Sequence, residues 1–218
     1  MFNSQVKQDV FVNKVLNKDY GFFLDIGAGF GGILSDNPGF YSNTYFFEYH
    51  RKWSGIAIDF DENWFNTVNN NRRCKCLCVD LLESNINEVL ESNDCPREID
   101  YISFDLDDAQ HAVFNQFDWD KYKFNVLTLE HNIFQSMADG GSGQIHDDEH
   151  KSKIIKEYEH FRRVLNNLGY KLLWSDVTLS PYGPLEDWWV SNSVYEKHSN
   201  LIRHSPNCNM TSVWETVQ

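Results

Sequence analysis

The stretch GFFLDIGAGFGG (21–32) decides how the rest of the chain reads. An apolar run ends in Asp25 and turns at once into glycines at 27, 29, 31 and 32. Apolar residues on successive rather than alternate positions suit a strand buried on both faces, as in a parallel sheet covered by helices. The same form recurs as GIAID (55–59), CLCVD (76–80), YISFD (101–105) and VLTLE (126–130). Helical periodicity fills the intervals. Trp64, Phe65 and Val68 share one face, as do Leu82, Ile86, Val89 and Leu90, and Val113, Phe114 and Phe117. Repeated βα units predict an α/β, doubly wound, mostly parallel sheet.

Further out, Val6, Val10 and Phe11 predict a helix within an N-terminal segment, 1–20. The segment 138–150 has three glycines and almost nothing apolar, and is expected to be a mobile loop. After it, Ile154, Ile155, Tyr158, Phe161, Leu165 and Leu168 recur at helical spacing, and Gly169 follows where a helix ends. YKLLWSDV (170–177) and DWWVSN (187–192) predict two closing strands, and 194–218 reads as a C-terminal extension. With 218 residues, 41% of them hydrophobic, the chain can fill one core, so residues 1–218 are expected to form a single domain.

Composition narrows the partners. The formal net charge of −13 disfavours phosphate backbones, so no nucleic-acid partner is expected. The mean hydropathy of −0.52 and the lack of a long uncharged apolar run argue against a membrane span. The start, MFNSQVKQDV, lacks the apolar core of a secretory signal, and five cysteines without small-scaffold spacing suggest reduced thiols. Together these predict a cytoplasmic protein.

Each of the five runs ends in a carboxylate: Asp25, Asp59, Asp80, Asp105 and Glu130. Parallel strands deliver their carboxyl ends to the ligand crevice of an open sheet, so these acids are expected along one edge. Gly27, Gly29 and Gly32 can be forced into the dinucleotide-binding pattern, but Asp25 stands where a diphosphate would be repelled. Pro38 also interrupts the segment that would supply a helix N-terminus. An acid beside a glycine turn instead suits a cationic ligand carrying an amine, such as the methionine part of S-adenosylmethionine. Asp59 is placed to accept hydrogen bonds from a ribose diol, and Asp80 from an adenine amino group.

The chain resembles the FkbM-type family of S-adenosylmethionine-dependent methyltransferases. The resemblance is carried by Ser4-Gln5 with Gln8-Asp9, GFFLDIGA, SNTYFFE, W-x-GIAID, YISFDLDD, LTLEHN and EDWWV, in family order. It implies a Rossmann-like class I methyltransferase sheet of seven strands with the last antiparallel, and O-methylation of a sugar hydroxyl in a glycan or glycoside. It implies that Asp25, Gly27, Asp59 and Asp80 hold the cofactor, with Gly29 and Asp105 beside them, and adds Ser42 and Asn43 as cofactor-loop contacts. The sequence departs from the family in having Asp59 where Glu is usual and GAGFGG where an acid often separates the glycines.

A sugar hydroxyl must lose a proton to attack a methyl group. His131, between Glu130 and Asn132, is the first candidate for the general base, and Asp107 the second. A divalent ion such as Mg²⁺ or Mn²⁺ on Asp105, Asp107, Glu130 and Asn132 is the other route, since hard cations take oxygen ligands. Cys74, Cys76 and Cys78 alternate along the third run, without the spacing of a zinc site, and are read as packing residues. His146 and His150 lie in the expected loop. One of Trp188 and Trp189, or Trp53, or Tyr182, could stack on a sugar face, against the plainer reading of core packing. The rival functions are O-methylation of another small molecule and a catalytically silent module that binds cofactor or glycan within a larger assembly.

Overall fold

The computed structural model describes residues 2–29, 41–68, 71–137, 146–179 and 183–198. Seven strands form one sheet in the order β3-β2-β1-β4-β5-β7-β6. They are β1 (Phe22–Ile26), β2 (Ser54–Asp59), β3 (Lys75–Cys78), β4 (Glu98–Phe104), β5 (Lys123–Glu130), β6 (Lys171–Leu179) and β7 (Gly183–Val190). The chain falls into two compact units, Met1–Leu127 and Thr128–Gln218, divided within β5. Among the described residues, no helix is long and apolar enough to cross a membrane.

In the first unit the strands are parallel. β1 lies between β2 and β4, with Asp25 opposite Ala57 on one side and Ser103 on the other. Cys78 of β3 stands opposite Asp59 of β2. Phe23, Leu24 and Ile26 of β1 are fully buried, which is why successive positions had to be apolar. The helices are α1 (Gln8–Leu16), α2 (Tyr45–His50), α3 (Glu62–Val68), α4 (Ile86–Ser92) and α5 (Gln110–Gln116). Ser4 and Asp9 hold the start of α1: the Asp9 carboxylate accepts from the Ser4 hydroxyl and from the backbone N–H groups of Asn3 and Ser4. Below β4 an aromatic cluster joins Phe104, Phe114, Phe117 and Trp119, with ring centroids 4.3–6.4 Å apart. Leu82 departs from its expected place on the core face of α4. It precedes that helix and is 56% exposed, because Asn85 caps α4 three residues later by accepting from the Asn87 N–H.

In the second unit α6 (Asp148–Asn167) begins inside the segment expected to be a loop. Asp147 is its N-cap, accepting from the His150 N–H, and Asp148 and Glu149 follow in the first turn, where acids complement the helix dipole. Gly169 has φ +87° past its end, as its position implied. Residues 138–145 of the expected loop lie outside the described part, as do Tyr182 and the extension from 199 onward. The start of that extension is helical, within α7 (Asn192–His198). β6 and β7 pair antiparallel with several register shifts. Trp188 and Trp189 are both buried, so neither face of β7 is open and neither ring is free to stack on a ligand. Trp53 is buried too, its indole N–H bound to the Lys18 carbonyl.

Candidate functional site

In the first unit, the turn after β1 and the ends of β2, β3 and β4 enclose a cleft of about 510 Å³. Its described lining includes Gly27, Gly29, Asp59, Phe60, Asp61, Asp80, Leu82, Asp105, Asp107 and Asp108. The turn is tied to the sheet by the N–H groups of Gly27 and Ala28, both donated to the Ile58 carbonyl. Gly27 has φ +83°, and a Cβ there would collide with the Asp105 carbonyl. A Cβ on Gly29 would meet the Asp59 carboxylate. Both glycines are therefore required by close approach, one also by its backbone conformation.

Asp59 is held in place by backbone donors. Its Oδ1 accepts from the Asp61 N–H at 2.9 Å, and Gly29 and Phe60 also donate to the carboxylate. Burial raises its pKa, and those N–H groups oppose the rise. Next to it Phe60 is 70% exposed, and across the lining Leu82 is 56% exposed. Two large apolar side chains thus face the cleft beside its carboxylates.

The turn after β4 is braced by buried Gln110, which accepts from the Leu106 N–H at 2.9 Å and donates to the Phe104 carbonyl at 3.1 Å. It presents Asp107 in a left-handed conformation, φ 47°, which a non-glycine residue adopts at some cost. Desolvation by the cleft wall raises the Asp107 pKa, and the negative charges of Asp105, Asp108 and Asp59 add to the rise.

Asp25, Ser42 and Asn43 are not part of this lining. Asp25 is only 3% exposed and accepts from the Thr44 hydroxyl at 2.6 Å. Arg72 donates to the same Thr44 oxygen at 2.9 Å and pairs with buried Glu48 at 2.7 Å. The Ser42 hydroxyl accepts from the Thr44 and Tyr45 N–H groups, and Asn43 donates to the Ser103 hydroxyl at 2.9 Å. Asp25, Ser42, Thr44, Glu48 and Arg72 form a buried polar network, and Asn43 joins it to Ser103.

Burial raises the Asp25 carboxyl to about 6 despite Thr44, Arg72 and Ser103. A carboxyl whose pKa is higher folded than unfolded binds more protons in the native state, so its contribution falls as pH rises from about 4 to about 6. Asp25→Asn keeps an oxygen for Thr44 and cannot ionise. Relative to wild type it is expected to be more stabilising at pH 8 than at pH 4, by about 2–3 kcal/mol in urea unfolding. An equal difference at the two pH values would show that Asp25 does not carry this penalty.

In the second unit, His131 follows β5 and is enclosed. Its side chain is 1% exposed, and the Tyr158 ring packs edge-on against it at 4.9 Å. The Ile133 N–H donates to Nδ1 at 3.2 Å, so Nδ1 carries the lone pair and a neutral ring bears its proton on Nε2. Nε2 lies 3.5 Å from Asp187 and 3.9 Å from Asp176. Arg162 grips Asp187 through two bonds of 2.7 Å and approaches Asp176 at 3.1 Å. Tyr158 donates its hydroxyl to Asp176 at 2.8 Å and lies beneath the Arg162 guanidinium at 4.0 Å. Burial alone would raise the Asp187 carboxyl, but His131 and the Arg162 fork hold it at about 2.

This arrangement revises two expectations. Both nitrogens of His131 are buried, Nδ1 accepting from Ile133 and Nε2 facing Asp187 and Asp176 without a hydrogen bond, so the ring is built into a packed ionic cluster and exposes neither nitrogen to a substrate hydroxyl. The metal-type grouping among the described residues is His131, Asp176 and Asp187, not Asp105, Asp107, Glu130 and Asn132. It fits a divalent ion poorly. Arg162 already pairs with both carboxylates, and Nε2 carries the proton where a metal needs the lone pair. Asn132, with φ 51°, is the N-cap of the 3-10 turn Ile133–Ser136.

Of the predicted cofactor residues, Gly27, Gly29, Asp59, Asp80 and Asp105 line one cleft, as does Asp107. Sequence reasoning missed Phe60 and Leu82 as lining, and it missed the Arg162–Asp187–Asp176 cluster altogether. The acids Glu186 and Asp187, placed directly before an apolar strand segment, were the available signal for the latter.

No protein-family model matches the sequence. No curated protein matches it either. Among solved structures, an inferred O-methyltransferase from Klebsiella pneumoniae is similar over 85% of this chain and 80% of its own, with a TM-score of 0.54 at 12% identity. An inferred rRNA-methylase from Clostridium thermocellum covers 87% of this chain and 98% of its own, with a TM-score of 0.47 at 10% identity. A TDP-rhamnose 3′-O-methyltransferase of calicheamicin biosynthesis covers 85% and 77%, with a TM-score of 0.45 at 16% identity. The strand order, the antiparallel β6–β7 pair and the first of these likenesses together give the chain the Rossmann-like α/β fold of class I methyltransferases.

Proposed function

We propose that the chain is an S-adenosylmethionine-dependent O-methyltransferase acting on a sugar hydroxyl of a glycan or glycoside, related to the FkbM-type enzymes. The observation that carries the cofactor is the composition of the cleft: a glycine turn, six carboxylates from Asp59 to Asp108 and two exposed apolar side chains at the strand ends of a methyltransferase fold. Asp59 would hold the ribose diol. Phe60 and Leu82 would enclose the adenine, with Asp80 receiving its amino group. Asp105 and its neighbours would complement the positive charge of the methionine part. Asp25 then acts as a positioning residue for the turn through Thr44. When bound, S-adenosylmethionine supplies a methyl group on an electrophilic sulfur.

Asp107 is the chain's candidate base. It stands in the cleft, its raised pKa favours proton uptake, and its strained backbone is held by the Gln110 brace. The sugar acceptor rests on the family resemblance, and the exclusion of nucleic acid on the net charge.

Calorimetry tests the cofactor. Asp59→Asn is expected to weaken S-adenosylmethionine binding roughly 10–100-fold, the loss of hydrogen bonds to a charged group. Binding of NAD alone would overturn the reading. A glycan panel, read by mass spectrometry and by NMR to locate the new methyl group, tests the acceptor. A protein that binds cofactor yet methylates no acceptor would be the silent module.

A further inference from the structure

We infer that Cys74 and Cys76 form a dithiol site that a peroxide closes to an intramolecular disulfide, and that closure disturbs the glycine turn of the cleft. Their Sγ atoms lie 3.9 Å apart, and both thiols are free. In a fully extended chain, residues two apart have Cα atoms about 7 Å distant, at the limit of a disulfide's reach. Here Cys74 sits in a bend before β3, outside the strand ladder, where the backbone is not held fully extended. Hydrogen bonding from Cys74 lowers the Cys76 thiol below its ordinary range, and the Arg72 guanidinium assists against the effect of burial. The same bond, with burial, pushes Cys74 up.

The thiols are coupled to the cleft through packing. Cys76 is buried with Ala57, Trp64 and Val68, and Ala28 and Cys74 pack against that cluster. Ala28 lies between Gly27 and Gly29. β3 also pairs Cys76 with Ala57 and Cys78 with Asp59, so a distortion at the start of β3 reaches the strand that ends in Asp59.

The chemistry balances with peroxide as the oxidant. The Cys76 thiolate attacks one peroxide oxygen, the O–O bond breaks, and the released hydroxide takes the Cys74 thiol proton to become water. The Cys74 thiolate so formed attacks the Cys76 sulfur and expels hydroxide, which takes a proton from solvent to become the second water. Two thiols are oxidised by two electrons and one peroxide is reduced.

The test treats the full chain with dilute hydrogen peroxide and maps the cysteines by mass spectrometry. The expected result is a Cys74–Cys76 bridge that dithiothreitol reverses. Cys74→Ser should instead stop at a Cys76 sulfenic acid, trapped by dimedone. Hydrogen exchange of the Gly27 and Ala28 amides should rise roughly tenfold or more on oxidation, since these N–H groups are bonded to Ile58. The inference is overturned if both thiols stay reduced, if Cys76 bridges to another cysteine, or if a Cys74–Cys76 bridge forms with no change in exchange. Both readouts are independent of what the cleft binds.

Discussion

Asp107→Asn is expected to lower kcat by roughly 10²–10⁴-fold while leaving cofactor affinity within a few-fold of wild type. The substitution preserves size and the hydrogen-bonding oxygen but removes the ability to take a proton from an acceptor hydroxyl. The pH profile gives a second readout. A base must be deprotonated to act, so kcat/KM should rise with pH through the Asp107 pKa. Desolvation and the charges of Asp105, Asp108 and Asp59 put that rise above the ordinary carboxylate range. In Asp107→Asn this limb should disappear. His131→Ala serves as the contrast: it should lower stability more than it lowers turnover per folded molecule, since both ring nitrogens face the protein interior. Unchanged turnover in Asp107→Asn, or a loss of kcat in fully folded His131→Ala, would return the base to His131.

The second large effect concerns stability. Arg162→Leu is expected to destabilise the protein by about 3–5 kcal/mol at neutral pH in chemical unfolding, because it leaves Asp187 charged, buried and without its fork. Asp187 has a lowered folded pKa of about 2. Its stabilising contribution is therefore present above the unfolded value near 4 and is lost as pH falls from about 4 towards 2. The gap between wild type and Arg162→Leu should accordingly narrow across that window. A loss below about 1 kcal/mol would mean that the cluster is solvated, and would reopen His131, Asp176 and Asp187 to a metal. Arg162→Lys is expected to recover only part of the loss, since a lysine cannot supply two parallel bonds to one carboxylate.

Much of the fold was legible in local pattern. β1, β2, β4 and β5 are buried on both faces, so their apolar runs had to be nearly continuous. Parallel strands deliver their ends to one edge, so Asp59, Asp80 and Asp105 were predictable as neighbours before any contact was known. The same reasoning failed for Asp25. Its position in the strand pattern is like the others, but Thr44 and Arg72, drawn from α2's start and the approach to β3, turn its carboxyl into a buried network. It failed again for Leu82, where a helical period extended past the Asn85 cap.

The amino-acid sequence by itself determined the βα alternation and the placement of carboxylates at strand ends. These depend on local periodicity and on the geometry common to every parallel sheet. Only the tertiary structure decided which of those acids face the cleft and which are locked away. It also decided that His131 is enclosed by Asp176, Asp187, Arg162 and Tyr158. Those partners are far apart in the chain. They meet because an irregular antiparallel pair, with Asp176 at φ 57°, lets the Asp176 N–H donate to Asp187 while α6 supplies the arginine. A buried charge must find its counter-charge wherever packing places it, and spacing along the chain carries no record of that choice.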